Sequence, residues 1–417
     1  MLEPHVWKRT RTVLRRGGES NLSNLSDYIV FKVVIMIINA DLHIHSKYSM
    51  ATSKNMIPSV IAEESQKKGL DVIATGDALH SKWLEELEES LKEDKHTGIY
   101  SLSDDEYNTK FVITTEVEDS DRIHHLIIMP SIDVAYNMRD EFVTKNIDAD
   151  GRPKIRMKAH EIIKIARDYN CMIGPAHIFT PWTGMFKEYD SIMDCYKQKV
   201  DFVELGLSAD SQLADRLSQL HEYTFLTNSD SHSPWPHRIG REFNRMQIDE
   251  LSFDALRDSI KNNNIIANYG YDPKMGKYHE TGCIKCYRQY DINDALDKNM
   301  KCSCGGRIKK GVKSRIDELA DYDGEGQSKR PPYQYILPLA ELLSVTHSKG
   351  ITTKYVQTRY DNLIELFGSE IAVLLDVPIE KIKEVDLMLA KIIDSYRNNS
   401  LEVIPGCGGR YGQVKYS

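Results

Sequence analysis

Six stretches of this 417-residue chain end an apolar, β-like run on a residue able to bind a cation. The first passes from Ile37 and Ile38 into Asp41-Leu42-His43-Ile44-His45. Residues 71–77 end on Asp77, 111–116 on Glu116, 172–177 on His177, 202–205 carry Glu204, and 225–232 end on Asp230-Ser231-His232. Alternate residues of a strand point to one side, so His43 and His45 can reach the same ion. One His-x-His pair would say little, but repetition at strand after strand constrains the fold. A parallel α/β barrel satisfies it most economically, because the carboxyl ends of all its strands open onto one site.

Helical periodicity between these runs supports that architecture. Apolar residues recur at helical spacing in 82–91, 159–169, 211–220 and 253–260, so strand and helix patterns alternate to about residue 268. One connection breaks the rhythm. Only Val117 to Ile123 separate Glu116 from the run starting at His124, too few for a crossover helix, so the barrel is expected to be irregular there. Residues 1–35 form a disordered or spurious extension on this reading. Lys8, Arg9, Arg11, Arg15 and Arg16 precede a short apolar run with no cleavage site, unlike a signal peptide, and a cytoplasmic protein is expected. The domains expected are an extension at 1–35, a catalytic barrel at 36–270, a zinc module at 271–320 and a helical C-terminal region at 321–417. Helical patterns there cover 335–343, 355–367, 371–375 and 379–396, after a Gly-, Ser- and Pro-containing linker at 321–332.

The strand-end residues form a candidate metal set: His43, His45, Asp77, Glu116, one of His124 and His125, His177, Asp230 and His232. Adjacent histidines point to opposite faces of any strand, so only one of His124 and His125 belongs to it. Imidazoles mixed with carboxylates suit zinc, manganese or iron, where an all-oxygen set would suit calcium or magnesium. The set is too large for one tetrahedral ion, which implies two or three ions with Glu116 as the bridging carboxylate. Such a centre can activate water and stabilise charge on a phosphoryl group. His43, His45, Glu116 and Asp230 are the candidate catalytic residues. His80 is an alternative to Asp77 or a group that orients it, and Glu204 is a ligand or only a hydrogen-bond acceptor.

The seven cysteines do not suggest a disulfide scaffold. Cys283-x-x-Cys286 and Cys302-x-Cys304 have the spacing of a closed structural zinc site, with Cys171, Cys195 and Cys407 left as scattered thiols. A net charge of -8 does not announce a nucleic-acid binder, but charge is local. Lys301, Arg307, Lys309, Lys310, Lys313 and Arg315 follow one another around the second cysteine pair and could neutralise phosphates. Arg410, in the glycine loop Pro405 to Gly412, is a further candidate for DNA contact.

Asp41-Leu42-His43-Ile44-His45-Ser46, Thr75-Gly76-Asp77, Glu116 with His125, His177 and Asp230-Ser231-His232 resemble the motifs of the PHP family of phosphoesterases. That resemblance implies a distorted (β/α)7 barrel with a trinuclear centre, and favours His125 over His124 because the family's histidine is typically followed by Leu. Many members carry Asp-His where this chain has Asp77-Ala78, which leaves the third ion's ligands open. Outside the ligands, Asp77-Ala78-Leu79-His80, Glu204-Leu205-Gly206-Leu207-Ser208 and Thr227-Asn228-Ser229-Asp230-Ser231-His232-Ser233-Pro234 are similar to the archaeal-type endonuclease Q branch. The likeness runs from Met36 through nearly the whole chain.

Membership of that branch implies a DNA repair endonuclease cutting 5′ of deaminated bases (uracil, hypoxanthine, xanthine) and abasic sites. The cofactors expected are two or three divalent ions, drawn from zinc, manganese and magnesium, and one structural zinc. Damaged DNA is the expected partner, with a replication or repair clamp as a second candidate and no membrane. The alternatives are a small-molecule phosphomonoesterase of the histidinol phosphatase type and a nucleic-acid-binding scaffold without activity. The zinc module argues against the first, since a small substrate does not call for it, and the full ligand set argues against the second.

Overall fold

The computed structural model describes residues 9–12, 32–104, 107–323, 330–398 and 400–415. Most of the expected extension at 1–35 therefore lies outside the described residues, although Arg9–Thr12 pairs antiparallel with the start of the strand Lys32–Asp41. That strand is the hub of a mixed α/β fold. On one side it pairs in parallel with Val72–Ala74, which pairs in parallel with Lys110–Glu118. On the other side Phe243–Ile248 and then Ile265–Gly270 add antiparallel.

The short connection after Glu116 is an antiparallel hairpin. His124–Met129 runs back along Lys110–Glu118 with Glu118 opposite His124, and Met172–Pro175 continues the sheet antiparallel. Val203–Glu204 and Phe225–Leu226 form a short parallel pair. They join the sheet through the Asp201 N–H to Ile173 O and the Ile178 N–H to Glu204 O. Where the ladder stops, side-chain amides take over. The Asn244 amide donates to Ala40 O, Thr227 O and Asn228 Oδ1, and Asn268 donates to Phe225 O. Both asparagines are fully buried, so each bond also satisfies a polar group that water cannot reach.

Strand alternation sorts the apolar residues into two layers. Ala40, Val72, Val112, Leu126, Ile128, Met172 and Leu226 pack together with one face of the helix Phe253–Lys261. Ile73, Ile113, Ile127 and Ile173 point the other way, onto the helices Pro58–Lys68, Ser81–Ser90 and Ala159–Asp168. The helix expected over 211–220 is instead a turn at Ser211–Ala214 and a 3-10 turn at Ser218–Leu220, with Asp215 between them turned inward onto Arg330.

The tail departs from its sequence pattern where proline and aspartate intervene. Tyr333–Tyr335 is a strand parallel to Ile265–Gly270, and the helix starts only at Leu339, after Pro338 has held Leu337 out of helical geometry. Residues 379–396 split at Asp386, whose carboxylate accepts the Leu389 N–H and caps the second helix. Among the described residues no helix is long and apolar enough to cross a membrane.

The α/β sheet region and the helical tail are joined by an ion pair in the interior. Lys68 Nζ, on the last turn of Pro58–Lys68, reaches Glu370 Oε1 at 2.7 Å and Pro236 O at 2.5 Å, and both charged side chains are almost fully buried. Glu370 Oε1 also accepts the Leu339 N–H. Removing one member strands the other charge, so Glu370→Leu should lower unfolding free energy by about 3–5 kcal/mol, while Lys68→Met with Glu370→Leu recovers most of it. Urea titration of the three proteins checks this, and equal stability of single and double variants would refute it.

Candidate metal centre

The ligand-bearing turns share one backbone device. Asp77 (φ 51°), His177 (φ 31°) and Asp230 (φ 46°) adopt positive φ just past the ends of their strands. Non-glycine residues pay for that conformation, and it persists where the surroundings enforce it. Gly76 (φ 63°) is required, because a Cβ there would lie 2.1 Å from Ile44 O. These turns aim side chains of separate strands at one point.

Two triads of donor atoms result: His43, His45 and Asp230, and Glu116, His124 and His177. In the first, Asp230 Oδ1 lies 3.1 Å from His45 Nε2 and 3.8 Å from His43 Nε2. In the second, Glu116 Oε1 lies 2.9 Å from His124 Nδ1 and 3.0 Å from His177 Nε2. Glu116 also faces the first triad, with Oε1 at 3.7 Å from His43 Nε2 and Oε2 at 3.5 Å from His45 Nε2. It therefore stands between the two triads.

Donor chemistry and unsatisfied atoms both fit divalent cations. His43 Nε2, His45 Nε2 and Asp230 Oδ1 are buried without a hydrogen-bond partner, and they are the atoms that converge. Buried polar atoms seldom go unpaired unless something else satisfies them. Nitrogen and oxygen donors about 2.0–2.2 Å from a tetrahedral zinc would sit roughly 3.3–3.6 Å apart, close to the separations here. Burial opposes charge on His43, but Glu204, Glu116 and Asp230 raise its pKa to about 9. Burial would likewise raise Glu116, yet His124, His177 and His43 hold it well below the usual carboxylate range. The field that draws protons onto these imidazoles would equally draw a divalent cation.

Glu204 and Asp77 fix the ligands from behind. His43 Nδ1 donates to Glu204 Oε1 at 3.0 Å, and His45 Nδ1 to Asp77 Oδ1 at 2.9 Å, which leaves each Nε2 free to face the cluster. Asp77 Oδ2 accepts from Ser46 N, Ser46 Oγ and Ser49 Oγ. Asp77, expected as a ligand, lies outside the two triads, its oxygens bonded to His45, Ser46 and Ser49. His232 stands beside the first triad, its ring 4.4 Å from that of His45, with Nδ1 turned to Asp230 O. His80 stacks on Tyr48.

Of the adjacent histidines, it is His124 rather than the expected His125 that lies with Glu116 and His177. With Glu118 opposite His124 across the hairpin, Glu116, Glu118 and His124 share a face, and His125 lies opposite Val117 on the other. His125 is buried away from the cluster, 2.5 Å from the Tyr196 hydroxyl and 3.2 Å from Asp119. In the observed register, antiparallel pairing puts residues of equal parity face to face. Arg152, whose guanidinium meets Glu116 Oε2 at 3.1 Å, carried no motif and was missed.

The cysteine module brings Cys283, Cys286, Cys302 and Cys304 together. Cys283 Sγ to Cys304 Sγ is 3.5 Å and Cys286 Sγ to Cys302 Sγ is 3.6 Å, near the ~3.8 Å edge that Zn–S bonds of ~2.3 Å imply. The Cys304 N–H and then the Tyr290 hydroxyl hold the Cys302 thiol down to about 6. Of the basic run, Lys309 lies over Trp182 and donates to Pro181 O, and Arg315 binds Phe186 O and Asp190. Lys310 pairs with Glu318. Lys309 and Arg315 tie the cysteine module to residues 181–190, whereas Arg307, Lys313 and Arg410 are exposed.

The site defines an α/β protein that collects imidazole and carboxylate donors able to hold divalent cations, beside a separate cluster of four cysteines. Residues 338–400 match the family described as the MJ0043 C-terminal domain. The chain is 47% identical over 255 residues to the uncharacterized protein MJ0043 of Methanocaldococcus jannaschii, a match covering 60% of this chain but only 32% of that protein. It is 31% identical to the uncharacterized protein YqxK of Bacillus subtilis, over 91% of this chain and 99% of that one. Among solved structures it is similar to the lesion-specific endonuclease PfuEndoQ of Pyrococcus furiosus, at 45% identity and TM-score 0.87, over 91% of this chain and 95% of that one. Endonuclease Q in complex with a 27-mer duplex bearing an abasic lesion gives 45% identity and TM-score 0.86, over 92% and 97% of the two chains. The chain belongs to the endonuclease Q family.

His124→Ala should lower the divalent metal retained after gel filtration by about one ion per chain, since three donors fix a site in proteins of this chemistry. His125→Gln should leave metal content unchanged. Plasma emission spectrometry decides, and the reverse pattern would return His125 to the cluster.

Proposed function

We propose that this protein is a DNA repair endonuclease that hydrolyses the phosphodiester on the 5′ side of deaminated bases and abasic sites. The observation that carries the reading is the pair of triads bridged by Glu116, in a chain similar over nine-tenths of its length to Endonuclease Q bound to an abasic-lesion duplex. We read the curled sheet as a distorted (β/α)7 barrel, and uracil, hypoxanthine and xanthine as the deaminated bases.

Divalent cations, when bound, would supply Lewis acidity toward a phosphoryl oxygen and make water a stronger acid. The chain's own residues set the geometry for that chemistry. His43, His45 and Asp230 hold one side, Glu116, His124 and His177 hold the other, and Glu204 and Asp77 keep the imidazoles of His43 and His45 in the tautomer that presents Nε2. Attack of water on phosphorus breaks the bond to the departing O3′, which takes up a proton as the 5′-phosphate forms. A deaminated or missing base is cheaper to extrude, which favours lesions over intact pairs. Trp182 and Trp235, each more than two-fifths exposed, are candidates for stacking on the displaced base. Phe186 is fully buried against Phe179 and serves as a packing anchor.

A panel of labelled duplexes bearing uracil, hypoxanthine, xanthine or an abasic site, offered with Mn²⁺, Mg²⁺ or Zn²⁺ beside a phosphomonoester, tests the reading. Nicking 5′ of a lesion is expected; turnover of the monoester with no nicked duplex would transfer the protein to the phosphatase alternative. Asp230→Asn should keep the circular dichroism of the wild type and lose cutting. Arg307→Ala, Lys313→Ala and Arg410→Ala should each reduce the slope of log affinity against log salt by about 1. Slopes indistinguishable from wild type would remove these residues from the DNA interface.

A further inference from the structure

The sequence 147–156 carries no strand-end signature, yet it runs along the mouth of the cluster. Gly151 presses onto the residues that hold His45: a Cβ there would sit 2.3 Å from Asp77 Oδ2 and 2.5 Å from Ser49 Oγ. The Gly151 N–H donates to Tyr48 O, and Asp150 accepts the N–H of Met50 and that of Arg152. Just beyond, the Glu118 N–H donates to Pro153 O and the Ile155 N–H to Glu118 O. Backbone bonds thus tie the segment to the turn after His45 on one side and to the strand bearing Glu116 on the other, with Arg152 held between them.

That placement delivers one guanidinium to a site otherwise built of imidazoles and carboxylates. Arg152 NH1 meets Glu116 Oε2 at 3.1 Å. Among the described residues no other hydrogen bond of Arg152's guanidinium is formed, and its side chain is 26% exposed where those of His43, His45 and Glu116 are at most 1%. The remaining donors of the fork therefore have no partner among the described residues, and the side chain is partly open to solvent. A planar fork with parallel N–H donors matches the non-bridging oxygens of a phosphate, and it keeps its charge at any working pH.

We propose that Arg152 is a catalytic residue that takes a non-bridging oxygen of the scissile phosphate with the guanidinium edge turned away from Glu116. The inference rests on the phosphodiesterase reading above and adds to it the residue that receives the phosphate. As the pentavalent phosphorus gathers negative charge, the fork strengthens its hold without having to move, because the segment is already fixed on both sides. The contact to Glu116 keeps the guanidinium plane oriented while the opposite edge binds substrate.

The test compares wild type, Arg152→Ala and Arg152→Lys, each loaded with Mn²⁺, in three measurements: metal content, binding of inorganic phosphate by calorimetry, and hydrolysis of bis(p-nitrophenyl) phosphate alongside a uracil duplex. Metal content should stay within experimental error of wild type in all three proteins. Phosphate affinity should fall at least tenfold in Arg152→Ala, and kcat on both esters should fall by about 10²–10³, the scale of losing one donor to a developing oxyanion. Arg152→Lys should recover only part of this, since a point charge cannot replace the fork. Added guanidinium should partly restore Arg152→Ala. Rates and phosphate affinity within about threefold of wild type would overturn the proposal, and so would a loss of metal in step with activity, which would make Arg152 a counter-charge for Glu116 alone. Wild-type turnover of bis(p-nitrophenyl) phosphate with no cutting of any lesion duplex would sink the DNA reading while leaving the role of Arg152 measurable.

Discussion

The Glu116 carboxylate is the contact on which the centre depends. It is fully buried, yet four imidazoles and one guanidinium lie within 3.7 Å of its oxygens. A lone carboxylate in such a place would shed its charge, because burial disfavours the ionised form. Here the surrounding donors reverse that preference, and Glu116 stays ionised. Its position comes from the antiparallel hairpin Lys110–Glu118 and His124–Met129, where no crossover helix separates two successive strands. A regular parallel barrel would have sent the chain away from the cluster after Glu116. The hairpin returns it at once, and so places His124 on the same face.

How legible the site was in the sequence follows from where its residues sit. His43, His45, Glu116, His177 and Asp230 each follow an apolar run, and period-two patterning makes such ends visible. The cysteines were visible through spacing alone. The choice between His124 and His125 was not settled by apolar pattern, because Leu126, Ile127, Ile128 and Met129 are buried on both faces of their strand. The register of the hairpin, which only the structure shows, puts His124 on the face of Glu116. Arg152 was invisible because its role depends on where an irregular segment crosses the cluster, and irregular segments have no period. The amides of Asn244 and Asn268 were hidden for another reason. An asparagine in a strand reads as a poor β-former, and only the tertiary structure shows it standing in for a missing ladder.

Part of the basic run around Cys302 is engaged within the protein itself. Consecutive lysines and arginines suggest a phosphate-binding face, but Lys309 and Arg315 direct their donors to carbonyls of the barrel segment 181–190. Each such bond satisfies a carbonyl of that segment and holds the cysteine module in one orientation. The glycine loop behaves likewise. Gly406 and Gly412 donate to Lys274 O and Met275 O, and the Glu280 N–H donates to Gly406 O, so the chain end straps back onto the module. Gly412 must lack a side chain there, since a Cβ would lie 2.3 Å from Lys274 O.

These braces explain why a buried ion pair sits where barrel and tail meet. Lys68 donates both to Glu370 of the tail and to Pro236 O, in the turn that follows Asp230 and His232. An apolar contact could stabilise the same junction, often as well or better, but it would be indifferent to sliding. A lysine with two fixed acceptors is not. It ties the tail, the last turn of a barrel helix and the ligand-bearing turn to a single register. Asp230, in its strained backbone conformation, needs such support, because the turn that aims it at His45 is not one the chain would adopt unaided. On this view the tail does more than extend a surface: through Lys68 and Pro236 it holds in place the backbone that completes the first triad.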